Sequence, residues 1–445
     1  MEEPLKEYEE KKLNSFHIKT MLIAGAGQIV DGYDLTAAAL VTTSLMAYFG
    51  SSLLTLSTYL FASIISGNIV GALIFGYLAK HGRKRFYGVD AALMTLGALL
   101  QAFVSSPSQL VFLRFLLGLG IGADYVLSPL VAAEYANRKD RGKMLGIAGG
   151  VMWNVGALVS AVVTLTLGYF LPSDILWRAV LALGSVPAIS VIIARRRYPE
   201  TPHYLLFIKR DLKELGERYN VRTFLENVKR VSGISLSVLL LAALSWYLYD
   251  IGAYSGVFFG PSVIAQKLGI NGVLFELIIL AAFSVPWNFV SAMTNDRLGR
   301  RKLQAIGFVG MGLTTLLFAF LLGKVSAIVT LLVYGISSIF NSLGPGTIVG
   351  FWGVELFPAE IRGVTQGITV LGGRLGVLTT TFLFPILLAD FGIFATMITL
   401  GVIAIGAAGV SMMLPEPARV SLSKIEVSGL SALREVKAQG EEATK

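Results

Sequence analysis

Four aspartates, Asp31, Asp34, Asp124 and Asp250, sit inside long apolar stretches of this chain. A carboxylate exposed to hydrocarbon is costly, so such residues normally turn toward a polar, water-accessible space. The chemistry open to them there is reversible protonation and the holding of a polar solute. Arg114 and Arg374 lie in equally apolar surroundings, and a buried guanidinium needs a carboxylate partner. Trp246, Asp250 and Tyr254 recur every four residues, which puts them on one face of a helix. Asp31 and Asp34 share a face in the same way, and the Tyr125 hydroxyl could donate to an oxyanion.

The elements that position these residues are membrane helices. The 445 residues are 54% hydrophobic and only 15% charged, with a mean hydropathy of +0.70. A soluble chain of this length would need more charge to coat its surface. The net charge of +9 falls in short clusters between apolar runs, as topology signals do, and so is no argument for nucleic acid. There is no cysteine, which excludes disulfides and thiolate metal sites. His17, His81 and His203 are far apart, and no metal, nucleotide or redox cofactor is implied. No HExxH, GxSxG or P-loop pattern occurs, so an enzyme is not indicated.

Twelve apolar stretches are each long enough to cross a bilayer at about 20 residues. They fall near 20–48, 56–79, 86–106, 109–135, 142–171 and 175–195, then 236–263, 271–293, 304–323, 326–354, 362–388 and 391–414. The basic clusters at 80–85, 137–143, 195–197 and 297–302 lie on one side with both termini, which the positive-inside rule makes cytoplasmic. The expected organisation is a cytosolic lead (1–19), a six-helix bundle (20–195), a cytoplasmic central loop with a short amphipathic helix around 208–230 (196–235), a second six-helix bundle (236–414) and a cytosolic tail (415–445).

The two halves repeat in register. Asp34 and Asp250 are 216 residues apart, as are PETP (199–202) and PEP (415–417). GRKR (82–85) and GRRK (299–302) are 217 apart, and Glu134 precedes Arg141-Gly142 by the same seven residues as Glu355 precedes Arg362-Gly363. A parallel six-plus-six repeat, with its substrate site at the midplane between the halves, is the major facilitator pattern.

Motifs sharpen this into a family resemblance. GYLAKHGRKR (76–85) resembles the superfamily signature G-x-L-A-D-R-x-G-R-K, with its Asp lost by an apparent one-residue deletion, whereas NDRLGRRK (295–302) keeps Asp296. The resemblance implies gating roles for Arg83, Arg85, Glu134, Arg141, Asp296, Arg300, Glu355 and Arg362, with a weaker latch in the first half. RFLLGLGIG (114–122) resembles R-x-x-x-G-x-G-x-G of the fourth helix, where Gly118 and Gly122 share a face and permit close helix approach. In proton-coupled members an Asp–Arg pair recurs, which makes Asp34 the candidate partner of Arg114. The fifth helix (149–157) lacks the antiporter Gly-Pro signature, which favours symport or uniport.

DGYD (31–34), GIGADYVLS (120–128), WYLYDIGAY (246–254), LGPG (343–346) and GGRLG (372–376) are together similar to the phosphate:proton symporter and sugar-porter-like branch. That resemblance implies Tyr125, Trp246, Asp250 and Tyr254 as substrate ligands, Arg374 where the branch has Lys, and Asp31, Asp34, Arg114 and Asp124 in proton coupling. Trp153 and Asn154 stand near a Gln of the branch, and Asn341 and Ser342 near an Asn; these departures put phosphate itself in question. A hexose is disfavoured because the seventh helix has no Q-Q-x-x-G dyad.

The expectation is therefore an all-α integral membrane protein of the major facilitator fold. It is a monomeric, multi-pass plasma-membrane symporter that moves protons with a small polar solute, phosphate or an organic anion, by alternating access. Counting four buried Asp against two Arg gives a net negative cavity, which protonation would relieve and so link proton to anion. The same count suits the runner-up, an organic cation; a sugar or an organic acid is the further alternative. A nutrient sensor on a transporter fold would need a longer cytoplasmic extension.

Overall fold

The computed structural model describes residues 9–195, 198–209 and 233–428. The amphipathic helix expected around 208–230 lies almost entirely outside the described residues. Among the described residues, ten helices are long and apolar enough to cross a membrane; α1 and the break of the longest one at Gly392 bring the set to twelve. The first half holds α1 (Ser15–Leu40), α2 (Leu53–His81), α3 (Arg83–Phe103), α4 (Pro107–Tyr135), α5 (Arg141–Gly168) and α6 (Ser173–Arg195). The second holds α7 (Leu236–Lys267), α8 (Gly272–Leu298), α9 (Arg300–Leu321) and α10 (Ala327–Glu355). One continuous stretch, Ala359–Met413, breaks at Gly392 (φ 76°) into α11 (359–391) and α12 (393–413). A short helix α13 (Leu422–Ser428) follows.

Apolar length makes these helices, and their starts are fixed differently at the two ends. At the sparsely charged end, local side chains cap them: Ser52 for α2, Ser106 (with Pro107 in the first turn) for α4, Asn271 for α8 and Ser326 for α10. Each accepts a backbone N–H that the helix itself cannot satisfy. At the charged end Asn14 caps α1 locally, whereas for α3 and α9 carboxylates distant in sequence do this work. Glu200 accepts from the N–H of Arg83 and Lys84, and Glu416 from the N–H of Arg300 and Arg301. The PETP and PEP repeats thus cap α3 and α9, each beside a positive-φ glycine, Gly82 (φ 129°) or Gly299 (φ 88°).

Close packing brings the polar residues inward. A Cβ on Gly118 or Gly122 would lie 2.0 Å from the carbonyl oxygen of Ile64 or Asn68 on α2, so α2 and α4 meet backbone to backbone. Wide π-type turns interrupt α2 (Thr58–Ala62), α5 (Ile147–Val151) and α8 (Ile279–Ser284), and such turns recur at functional sites. Those of α5 and α8 border the central space between the halves.

Candidate substrate cavity and gates

Between the two halves lies a cavity with about 160 Å³ open to water-sized groups. Tyr125, Trp153 and Asn154 line it from the first half; Trp246, Asp250, Tyr254, Asn341 and Arg374 line it from the second. The face of α7 marked by the four-residue spacing is the face turned to this space. Arg374 Nη1 donates to the Tyr254 hydroxyl (2.8 Å) and lies 3.5 Å from Asp250 Oδ2. Its guanidinium rests 4.1 Å from the Tyr125 ring centre. Arg374 Nε and Nη2 are buried with no hydrogen-bond partner among the described residues. Gly373 leaves room for the Trp246 indole and Asp250 to converge; a Cβ there would meet Trp246 Nε1 at 2.6 Å and Asp250 Oδ2 at 2.8 Å.

Asp31 forms the wall behind. Its Oδ2 accepts from the Tyr125 hydroxyl (2.6 Å) and from the Trp153 indole N–H (2.7 Å). Trp153 therefore spends its donor on Asp31. The Asn154 amide donates to the Gly150 carbonyl (3.0 Å).

Three expectations about placement are corrected. Asp34 and Asp124 do not line the cavity; both are buried inside the first bundle. Asp34 Oδ2 sits 2.5 Å from Arg114 Nη1, and Arg114 also donates to the Leu60 carbonyl. Asp124 accepts from Gln28 (3.1 Å), Ser128 (2.6 Å) and Arg195 (2.5 Å), and Gln28 and Ser128 are themselves cavity-lining. Asp124 thus stands one hydrogen bond behind the wall. Ser342 is also turned away from the cavity, which Asn341 lines instead. The tally of two buried arginines was short, because Arg195, read as a topology charge, is buried and bridges Asp124 to Asp90. Sequence reasoning missed Asp90, Arg195 and Gln28. The first two lie at helix ends beside charge clusters, where spacing does not separate a buried charge from a solvated one.

The charged end is closed by two matching ionic clusters. Glu134 is shared by Arg83 (2.9 Å) and Arg362 (3.0 Å), joining the first half to the second. Glu355 is shared by Arg300 (2.9 Å) and Arg141 (2.7 Å), joining them in the opposite sense. Asp296 pairs with Arg300 (2.8 Å) and accepts from the N–H of Gly142 and Lys143 at the start of α5. Arg85 is exposed and makes no ion pair among the described residues, so it has no place in these clusters.

The missing acid fits a one-residue deletion. Ala79 packs against Gly363 at the start of α11 as Asn295 packs against Gly142 at the start of α5, and Arg83 donates to the Ala79 carbonyl as Arg300 does to that of Asn295, one residue farther back. The acid that follows Asn295 has no counterpart after Ala79, and the start of α11 is served by α13 instead. Glu426 accepts from the Ala359 N–H (2.7 Å) and pairs with Arg362 (2.6 Å).

Toward the other end the halves meet through Phe61 of α2 stacked on Phe258 of α7, with ring centres 3.7 Å apart. Cavity, ionic end and aromatic end together describe a membrane transporter with a central site between two sets of contacts joining its halves. Residues 20–428 match the sugar (and other) transporter family, and the chain belongs to it. Within the major facilitator superfamily it resembles the phosphate:proton symporter and sugar-porter-like branch. The inorganic phosphate transporter 1-6 of Oryza sativa subsp. japonica is 30% identical, over 84% of this chain and 83% of that one. The repressible high-affinity phosphate permease of Neurospora crassa is 28% identical, over 84% and 78%. The proton:xylose symporter XylE bound to 6-bromo-6-deoxy-D-glucose superposes with a TM-score of 0.78 at 21% identity, over 95% of this chain and 99% of that one. At that identity the likeness speaks for the fold.

Proposed function

We propose that this chain is a proton-coupled symporter of a small oxyanion, inorganic phosphate first, working by alternating access in the plasma membrane with both termini in the cytoplasm. The observation that carries the reading is Arg374: a buried guanidinium, stacked on Tyr125, whose Nε and Nη2 have no protein partner. That edge matches two oxygens of a phosphate. The curated relatives named for phosphate support the same substrate.

Asp250, 3.5 Å from Arg374, competes with the anion for that guanidinium. Protonating Asp250 would remove the competitor, so proton and anion binding favour each other. Asp31 reaches the site through Tyr125 and Trp153, and Asp34–Arg114 and Asp124–Arg195 form the reserve behind it. In this scheme Asp34 leaves Arg114 when protonated and re-pairs when the proton departs. The ionic clusters open to release the anion inside. The unit of function is a monomer of two six-helix halves, 20–195 and 236–414.

Thermal shift of the purified chain against phosphate, sugars, organic acids and organic cations tests this at pH 5.5 and 7.5. Phosphate should stabilise, and more so at pH 5.5. Stabilisation by an organic cation alone, growing as pH rises, would overturn the reading. In proteoliposomes, Asp34→Asn should abolish pH-driven uptake while retaining exchange; unchanged uphill transport refutes the proton role.

A further inference from the structure

Glu276 of α8 also lines the cavity and is only 6% exposed. No cationic side chain among the described residues faces it, and its neighbours in the cavity wall are Tyr334 and apolar groups such as Ile279 and Leu280. A carboxyl kept inside a membrane protein without a basic partner is a functional group in search of a ligand. Measured from the charged ends of their helices, Leu298 for α8 and Ala359 for α11, Glu276 lies about seven residues, or roughly 10 Å, farther along than Arg374.

The cavity thus has two poles of opposite sign on one open space. Its volume of about 160 Å³ holds on the order of ten water-sized groups, whereas orthophosphate brings five heavy atoms. The lower pole alone satisfies such an ion and leaves the upper carboxyl facing nothing. An offset of that order is longer than one phosphate ion, so a ligand that reaches both poles needs a second charged group set off from the phosphoryl group by a short linker.

We propose that the cavity recognises an amine-bearing phosphoryl compound, with the phosphoryl group on Arg374 and the protonated amine on Glu276. This rests on the reading of Arg374 as the anion site and extends it to the other half of the ligand. It also gives a reason for the aromatic walls between the poles, since Tyr and Trp faces tolerate an ammonium group passing over them.

The test compares phosphoethanolamine with ethyl phosphate, its uncharged-tail analogue, by direct binding to the full chain in detergent. Phosphoethanolamine should bind roughly tenfold more tightly, the ratio that one added charge contact of about 1.4 kcal/mol produces. Glu276→Gln should bring the ratio to about one, and Glu276→Asp, which keeps the charge, should preserve part of it. Equal affinities in the natural chain, or a ratio untouched by Glu276→Gln, overturn the proposal. If ethanolamine alone binds and neither phosphoryl compound does, the anion reading of Arg374 fails first and this one falls with it. If phosphoethanolamine binds tightly while orthophosphate does not, the two-pole site stands and orthophosphate is lost as the cargo.

Discussion

Arg374 is the side chain on which the substrate chemistry turns, and its type matters as much as its charge. A lysine there would keep the positive charge but lose the flat stack on Tyr125 and the two-pronged edge. Arg374→Lys should weaken phosphate binding by roughly tenfold, about 1.4 kcal/mol, with the melting temperature of the unliganded protein little changed; calorimetric titration reads the first and a thermal melt the second. Much at this scale was legible in the sequence. The four-residue spacing put Trp246, Asp250 and Tyr254 on one face, and Arg114 called for an acid, which Asp34 supplies in the structure. What spacing could not tell is which charges near a helix end turn inward. Arg195 and Asp90 border loops rich in solvated charge, and only the packing of α3 against α6 makes them a buried pair. Glu276 sits in the first turns of α8, where an exposed acid would look the same in sequence.

At the scale of elements, α1 carries its own cap, Asn14, but four other helix starts at the charged end share one device, a remote carboxylate on exposed N–H groups. Glu200 serves α3, Glu416 serves α9 and Asp296 serves α5. For α11 the repeat offers no acid, and Glu426 of α13 takes over. Glu426→Gln should therefore loosen the closed charged end by on the order of 3 kcal/mol, the scale of breaking a buried pair. Inserting an Asp directly after Ala79 in that background should restore much of the loss, because Asp296, directly after Asn295, already fits the matching place in the other half. Spin-label distances across the charged end would read the change, and no rescue by the insertion would refute the equivalence. The sequence showed the missing acid but not its replacement, since nothing in the spacing of residues 422–428 says where that helix docks.

For the molecule as a whole, the repeat made the two-bundle architecture readable before any coordinates, and close-packing glycines carried it into contact detail. The closed charged end also has a pH dependence. His203 is buried with its Nδ1 3.2 Å from the Glu134 carbonyl oxygen. Burial pushes its pKa below the usual histidine value, and Arg362 pushes the same way, against the pull of Glu426, Glu134 and Glu9. The folded protein therefore resists a proton that the unfolded chain accepts, so stability falls as pH drops through about 6.5. The slope is at most about 1.4 kcal/mol per pH unit for this one group. The melting temperature should fall more between pH 7.5 and 5.5 in the natural protein than in His203→Asn; equal falls would rule out His203 as the source.

The two closures differ in kind. One is a stack of charged bonds that must be broken together and rehydrated; the other rests on the flat contact of Phe61 with Phe258. Sliding one ring off another breaks no ion pair and strands no charge. Thermal motion should therefore part the aromatic door often and the ionic one seldom, so an idle molecule samples the aromatic side while its charged end stays shut. With the charged end inward, as proposed, such a bias would make the protein a check valve: protons on the aromatic side would find no continuous route through until cargo supplied the energy to unlock the second door.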